Sequence, residues 1–231
     1  NSVLKCIESW KKYLPDYDIV EWNEDNFDLD SFTYTREAYD AKKFAFVTDV
    51  VRLYALYNYG GVYMDTDVEV LKSLDMFLMN HGFSGFQSKT EIQTGVMASE
   101  KGNRWVLEQL EYYKDAKFLK ENGEYDYTTN VETISMISLT KHGFIPNGKY
   151  QKLKYDFVIY PQEYFCPKFA SSGKIKITDK TYTIHHFNGS WVPKKQRFHK
   201  FIYRLVRKLL GQKIADKILY IIKQKKNKNK S

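Results

Sequence analysis

"FVTDVVRLYALYNYGGVYMDTDVEVL", Phe46 to Leu71, sets a helix, a turn, a strand and two carboxylates in a row. Phe46, Val50, Leu53, Tyr54 and Tyr57, with Ala45 just before them, recur at helical spacing. Within "EAYDAKKFAFVTDVVRLYALYNYGG" they predict a mostly buried helix of about 20 residues ending at Gly60. After the Gly60-Gly61 turn, Val62-Tyr63-Met64 reads as a strand with Asp65-Thr66-Asp67 at its carboxyl end. Alternate residues of an extended chain point the same way, so both carboxylates should emerge on one side, about 6 to 7 Å apart at Cα. Asp is a poor strand former and burying its charge is costly, so the pair is either a surface feature or holds something positive. Ligands of open α/β sheets bind at strand carboxyl ends, and two hard oxygen donors there suit Mg²⁺ or Mn²⁺ gripping phosphates. Upstream, Asp49 and Arg52 share one helix face. They form either a surface ion pair worth a few tenths of a kcal/mol or a pair turned toward a polar cleft.

Working outward, "VLKCIESWKKYL" (3–14) has the spacing of a helix stopped by Pro15, and "YDIVEW" (17–22) reads as a strand. "GFSGFQ" and "IQTGVMAS" read as further strands, "NRWVLEQLEYYKDAKFL" as a helix, and "TTNVETISMISLTKHG" as a helix capped near Thr129. "DFVIYPQEYFCP" and "TYTIHHFNGSW" are strand-like and aromatic. Alternating helices and strands imply an α/β protein.

The 231 residues, 43% of them hydrophobic, can bury a substantial core, which excludes a disordered chain for most of the length. Cys6 and Cys166 are 160 positions apart in no metal or redox spacing and read as reduced packing residues. The net charge of +8 is unevenly placed. Residues 194–231 carry 14 Lys and Arg against one acid, Asp216, leaving 22 basic and 27 acidic residues in 1–193. Two domains are therefore expected, 1–193 and a basic helical tail, 194–231. Phe198, Phe201, Ile202, Leu205, Leu209, Ile214, Ile218, Ile221 and Ile222 form apolar stripes in that tail, divided by Gly211. They pack on the body, stay solvated beside the charges, or form an amphipathic anchor on anionic lipid, the reading preferred. No nucleic-acid motif accompanies the basic run.

His185-His186 precede "FNGSW". Adjacent histidines are often structural, but strand alternation lets one of the two complete a site begun by carboxylates. The Gly-Ser turn after them offers backbone N–H groups to a phosphate.

Taken together, "FVTDVVRLYALYNYGGVYMDTDVEVLKSLD", the opening "CIESWKKYLPDYDIVEWNEDNFD" and the closing "TYTIHHFNGSWVP" resemble the DXD-containing sugar transferases. These are the bacterial capsular polysaccharide and yeast Och1-like mannosyltransferase family, related to the large clostridial glucosylating toxins. The resemblance covers about residues 3 to 193. It implies a GT-A type fold, a mixed central sheet flanked by helices, and retaining transfer of a hexose from a nucleotide sugar, with Mn²⁺ or Mg²⁺ bridging the diphosphate. A UDP-sugar is favoured and GDP-mannose is the second choice. By the resemblance, Asp49 and Arg52 touch the donor sugar and its diphosphate, Thr48 standing where relatives have Ser. Tyr63 and Asp65 lie beside ribose and metal, Asp67 is the direct metal ligand, His186 the late one, and Ser190 with Trp191 contact the diphosphate. Gln93 replaces an Asn that relatives often carry near the sugar. Relatives begin with a nucleobase-binding strand, and this sequence is expected to start after it. The acceptor implied is a glycan or glycolipid on the inner face of the cell membrane, the protein being cytoplasmic and peripheral. The rivals are a metal-dependent phosphoester hydrolase, which wants a richer Asp/His set, and a non-catalytic membrane-bound adaptor with a decayed transferase fold.

Overall fold

A computed structural model describes residues 2–169 and 172–188. Residues 1–169 and 174–187 make one unit; a second, 170–173 and 188–231, lies almost wholly outside the described residues, and with it the expected boundary at 193, the basic helical tail, Ser190 and Trp191.

Seven strands and six α-helices make up the described part. In chain order they are α1 (Ser2–Tyr13), α2 (Thr33–Asp40), α3 (Phe44–Tyr59), β1 (Gly61–Met64), β2 (Val68–Val70), β3 (Gly82–Gly85), β4 (Val96–Ser99), α4 (Arg104–Asp115), α5 (Asn130–Lys141), β5 (Gln151–Lys152), β6 (Phe157–Tyr160), α6 (Gln162–Phe165) and β7 (Thr183–His185). Five strands form a mixed sheet in the order β1-β4-β3-β6-β5, with β3 and β6 parallel and the other pairs antiparallel. β2 and β7 form a separate antiparallel ribbon.

Strand alternation divides the core into two layers. Met97 of β4 and Phe157 and Ile159 of β6 face a cluster with Val50 and Leu53 of α3, Trp105 and Val106 of α4 and Ile134 of α5. Their neighbours Val96, Ala98 and Val158 face the opposite cluster, with Trp10 of α1, Val68 and Val70 of β2 and Phe77. The result is a mixed sheet flanked by helices, an α/β fold of GT-A-like type.

Two predicted elements differ. The single long helix is two, α2 and α3, because Lys42 takes a left-handed backbone (φ 56°) between them. The predicted strand at 17–22 is irregular: no neighbouring strand pairs with it, and Ile19 and Val20 remain 49% and 63% exposed. The helix cap at Thr129 is as expected, its hydroxyl and Glu132 forming a reciprocal capping box. Cys6 and Cys166 are buried free thiols.

Candidate active site

The two aspartates lie at the joint between the sheet and the ribbon. β1 pairs with β4 as far as Met64 opposite Val96, and the Asp65 N–H adds one further bond to Gly95 O at 2.9 Å. The chain then turns, the Val68 N–H reaching back to Asp65 O at 2.9 Å, and enters β2. Asp65 and Asp67 therefore flank a turn and do not alternate along a strand, which corrects the extended geometry expected from sequence. The turn converges their carboxylates with an imidazole, and one donor atom from each of Asp65, Asp67 and His185 lies within 4.8 Å of the others.

That imidazole is a second correction. His185 Nε2 is 3.2 Å from Asp67 Oδ1 and 3.7 Å from Asp65 Oδ2. His186, the expected ligand, turns away and pairs with Glu69 instead, Nε2 to Oε2 at 2.8 Å. Its backbone braces the site: the His186 N–H donates to Asp67 O at 3.0 Å, and the Lys168 ammonium donates to His186 O. Strand alternation allowed one of the two histidines without saying which, and His186 was expected from the resemblance alone; the structure turns His185 to the aspartates. The His185 ring is held between Phe187, stacked at 4.1 Å, and the backbone of Gly95.

Gly95 is the residue whose role sequence reading missed. A Cβ there would lie 2.6 Å from His185 Nδ1. We expect Gly95→Ala to push the ring off the aspartates and weaken Mn²⁺ binding by about 10- to 100-fold, the usual effect of misorienting a ligand. Calorimetric Mn²⁺ titration of the folded variant checks it; unchanged affinity would show that the ring position is immaterial.

Arg52 connects the cluster to the core. It is 4% exposed, and its guanidinium donates to Asp65 Oδ1 (3.2 Å), Thr94 O (2.6 Å), Asp49 Oδ1 (3.1 Å) and Thr48 O (3.2 Å), lying 4.8 Å from the Tyr63 ring centroid. Four of its five N–H donors are engaged. This places Arg52 as a positioning residue that aims Asp65, rather than a free hand for substrate. Tyr63 donates its hydroxyl to the same Asp65 Oδ1 at 2.8 Å. Burial, opposed by Arg52 and seconded by Asp65, holds that phenol well above its ordinary range, so it remains a donor.

Asp49 is 8% exposed, and burial pushes its carboxyl up to about 7 against the pull of Arg52; Asp65 adds to the rise, and the Asn130 backbone N–H at the start of α5 opposes it. The unfolded chain titrates this group near 3.8, so the folded state holds the extra proton between about 4 and 7. Its contribution to stability is therefore largest at low pH and falls as pH rises through that window, by at most about 1.4 kcal/mol per pH unit. Asp49→Asn removes this slope. In urea melts the variant should gain on the wild type by about 2 kcal/mol between pH 5 and pH 8; parallel curves would contradict the raised pKa.

Gln93, expected near the sugar, is fully buried beside Thr94, and its amide has no hydrogen-bond partner among the described residues. Two carboxylates and an imidazole are a donor set that Mn²⁺ accepts readily and Mg²⁺ less so, imidazole being the softer ligand.

Residues 1–84 match the family described as "Glycosyltransferase sugar-binding region containing DXD motif". Asp49, Arg52, Asp65 and Asp67 fall inside that region, whereas Gly95 and His185 lie beyond it. The chain is 32% identical over 98 residues, 41% of its length, to inositol phosphoceramide mannosyltransferase 3 of Schizosaccharomyces pombe. It is 43% identical over 79 residues, 33% of its length, to an uncharacterized Arabidopsis thaliana protein. These stretches span 28% and 12% of the two relatives. No solved structure matches significantly. The DXD region and the mannosyltransferase relative support a glycosyltransferase.

Proposed function

We propose that the chain is a metal-dependent, retaining glycosyltransferase that moves a hexose from a nucleotide sugar to a glycan or glycolipid acceptor. The observation that carries the reading is the convergence of Asp65, Asp67 and His185 inside a network anchored by Arg52. Asp67 and His185 would hold Mn²⁺ or Mg²⁺, with Asp65 aimed by Arg52 and Tyr63. The ion, when bound, supplies positive charge against the diphosphate leaving group. The protein's own part is to fix the donors: β1 and β4 set Asp65, the ribbon sets Asp67 and His185, and Gly95 admits the ring. Ser190 and Trp191 remain proposed diphosphate contacts.

A UDP-sugar is the first donor to test and GDP-mannose the second, the latter supported by the name of the fission-yeast relative. That name also supports a lipid-linked acceptor, as surface-glycan assembly, capsular or otherwise, would require. The test is nucleotide release from UDP-glucose, UDP-galactose and GDP-mannose with and without Mn²⁺; release from one of them only with metal is expected, and metal-independent or absent release with all three would sink the reading.

We further propose that residues 194–231, with 14 Lys and Arg against one acid, bind anionic lipid and hold the protein peripherally on the inner face of the cell membrane. No helix among the described residues is long and apolar enough to cross a membrane. The full chain should sediment with phosphatidylserine-containing vesicles, whose negative surface attracts basic segments by about 1 kcal/mol per Lys or Arg. A chain ending at Pro193 should not; equal binding rejects the anchor.

A further inference from the structure

Buried side-chain polar atoms in folded proteins nearly always have a partner, so the exceptions call for an explanation. Ten such atoms lack one among the described residues, and they fall into two groups. Seven belong to Trp105, Gln109, Asn130, Ser138 and His142, on α4 and along α5 to its cap. The other three are Oε1 and Nε2 of Gln93 and Nδ1 of His185. These three are chemically complementary, since an amide carries an acceptor oxygen and two donor hydrogens while an imidazole nitrogen is one or the other.

Gly95 is the point where they meet. Gln93 is two residues before it, so the two Cα atoms are at most about 7 Å apart. A Cβ on Gly95 would lie 2.6 Å from His185 Nδ1, which puts that nitrogen within about 4 Å of the Gly95 Cα. The Gln93 amide also lies toward β7. Its Nε2 is 3.6 Å from the point where a Gly85 Cβ would stand, and the Phe165 ring is 3.0 Å from the same point. Phe165 O accepts the hydroxyl of Thr183, two residues before His185 on β7, at 2.8 Å. Gln93 is fully buried and the His185 side chain is 12% exposed, so bulk water is a poor partner for either.

His185 turns its other nitrogen, Nε2, to Asp67 Oδ1 at 3.2 Å and to Asp65 Oδ2 at 3.7 Å, so Nδ1 is the one left for support. A metal-binding histidine is almost always held at its second nitrogen by a hydrogen-bond acceptor, which fixes the ring's orientation and tautomer. We propose that Gln93 is the positioning residue for His185, its side-chain amide bonding Nδ1 directly or through one water. The proposal rests on the metal-dependent reading above only for the ion; the amide–imidazole contact stands without it. An amide serves both protonation patterns of the ring. When Nε2–H donates to Asp67, Nδ1 accepts from the Gln93 NH2 group; when Nε2 is a ligand, Nδ1–H donates to Gln93 Oε1. Methionine fills the same space and does neither, whereas glutamate keeps the acceptor.

Zn²⁺ is the probe for the test, being diamagnetic and bound readily by imidazole and carboxylate ligands. In nitrogen-edited NMR spectra of the full chain at saturating Zn²⁺, the His185 Nδ1–H proton of wild type should be protected from exchange with water. In Gln93→Met it should exchange faster, and calorimetry should find Zn²⁺ bound about 10- to 100-fold more weakly. Gln93→Glu should restore both, a rescue that a merely space-filling role does not produce. A freely exchanging Nδ1–H in wild type, or wild-type affinity in Gln93→Met, overturns the proposal; the first result needs no variant to fold. UDP-glucose and GDP-mannose added to the Zn²⁺-loaded sample report separately on the transferase reading. Affinity for Zn²⁺ that falls in Gln93→Met with neither nucleotide sugar bound removes the transferase alone. Nucleotide-sugar binding with Zn²⁺ affinity unchanged in Gln93→Met removes the positioning role alone.

Discussion

Asp67→Ala should reduce metal-dependent sugar transfer by at least about 10³-fold while leaving the fold intact, because it deletes one of three converging donors and the charge that balances a divalent ion. The side chain is 16% exposed, and the Asp67 backbone carbonyl, which accepts from His186, is unchanged by the substitution. Circular dichroism and the unfolding midpoint should therefore stay near wild type. Retained turnover would remove Asp67 from the site.

Arg52→Ala should have the opposite signature, a loss of about 3 to 5 kcal/mol of stability, the range for stripping one partner from a buried ion pair. Asp49 would keep its carboxylate in the core without its guanidinium partner, and Thr94 O and Asp65 would each lose a hydrogen bond. The cost should be larger at pH 8 than at pH 5, since protonation relieves an unpaired Asp49 at the lower pH. Urea unfolding at the two pH values reads both effects. A loss under 1 kcal/mol at pH 8 would mean that water reaches the pair and that the network is weaker than its geometry indicates.

Much of the fold was legible because its signals are local. The spacing of Val50, Leu53 and Tyr57 marks α3, Gly60-Gly61 marks the turn, and Thr129 with Glu132 marks the start of α5, each within a few residues. Residues 17–22 failed because alternation shows that a segment can be a strand, while pairing depends on a neighbour that the local sequence does not name. Asp65 and Asp67 stood out as a pair, since carboxylates beside an apolar strand have few inexpensive explanations, whereas Asp49 with Arg52 was left open between a surface pair and a cleft, and Tyr63 entered only through the resemblance. The choice between His185 and His186 was not legible. It turns on the bond between the Val68 N–H and Asp65 O, which rotates Asp67 out of the pleat, and on the missing Cβ of Gly95, a residue brought there by the pairing of β1 with β4. Both are long-range facts of packing. Asn130 was hidden for the same reason: its backbone N–H, and no side-chain motif, meets Asp49.

The central claim is that Asp65, Asp67 and His185 hold a divalent ion that in turn binds a nucleotide sugar. Calorimetric titration of Mn²⁺ followed by UDP-glucose or GDP-mannose, into wild type, His185→Ala and His186→Ala, tests it most directly. The account predicts metal-dependent binding of one nucleotide sugar by wild type, at least about 10-fold weaker metal binding in His185→Ala, and a smaller change in His186→Ala, where only the Glu69 pair is lost. Metal-independent binding, or a larger loss in His186→Ala than in His185→Ala, would contradict it.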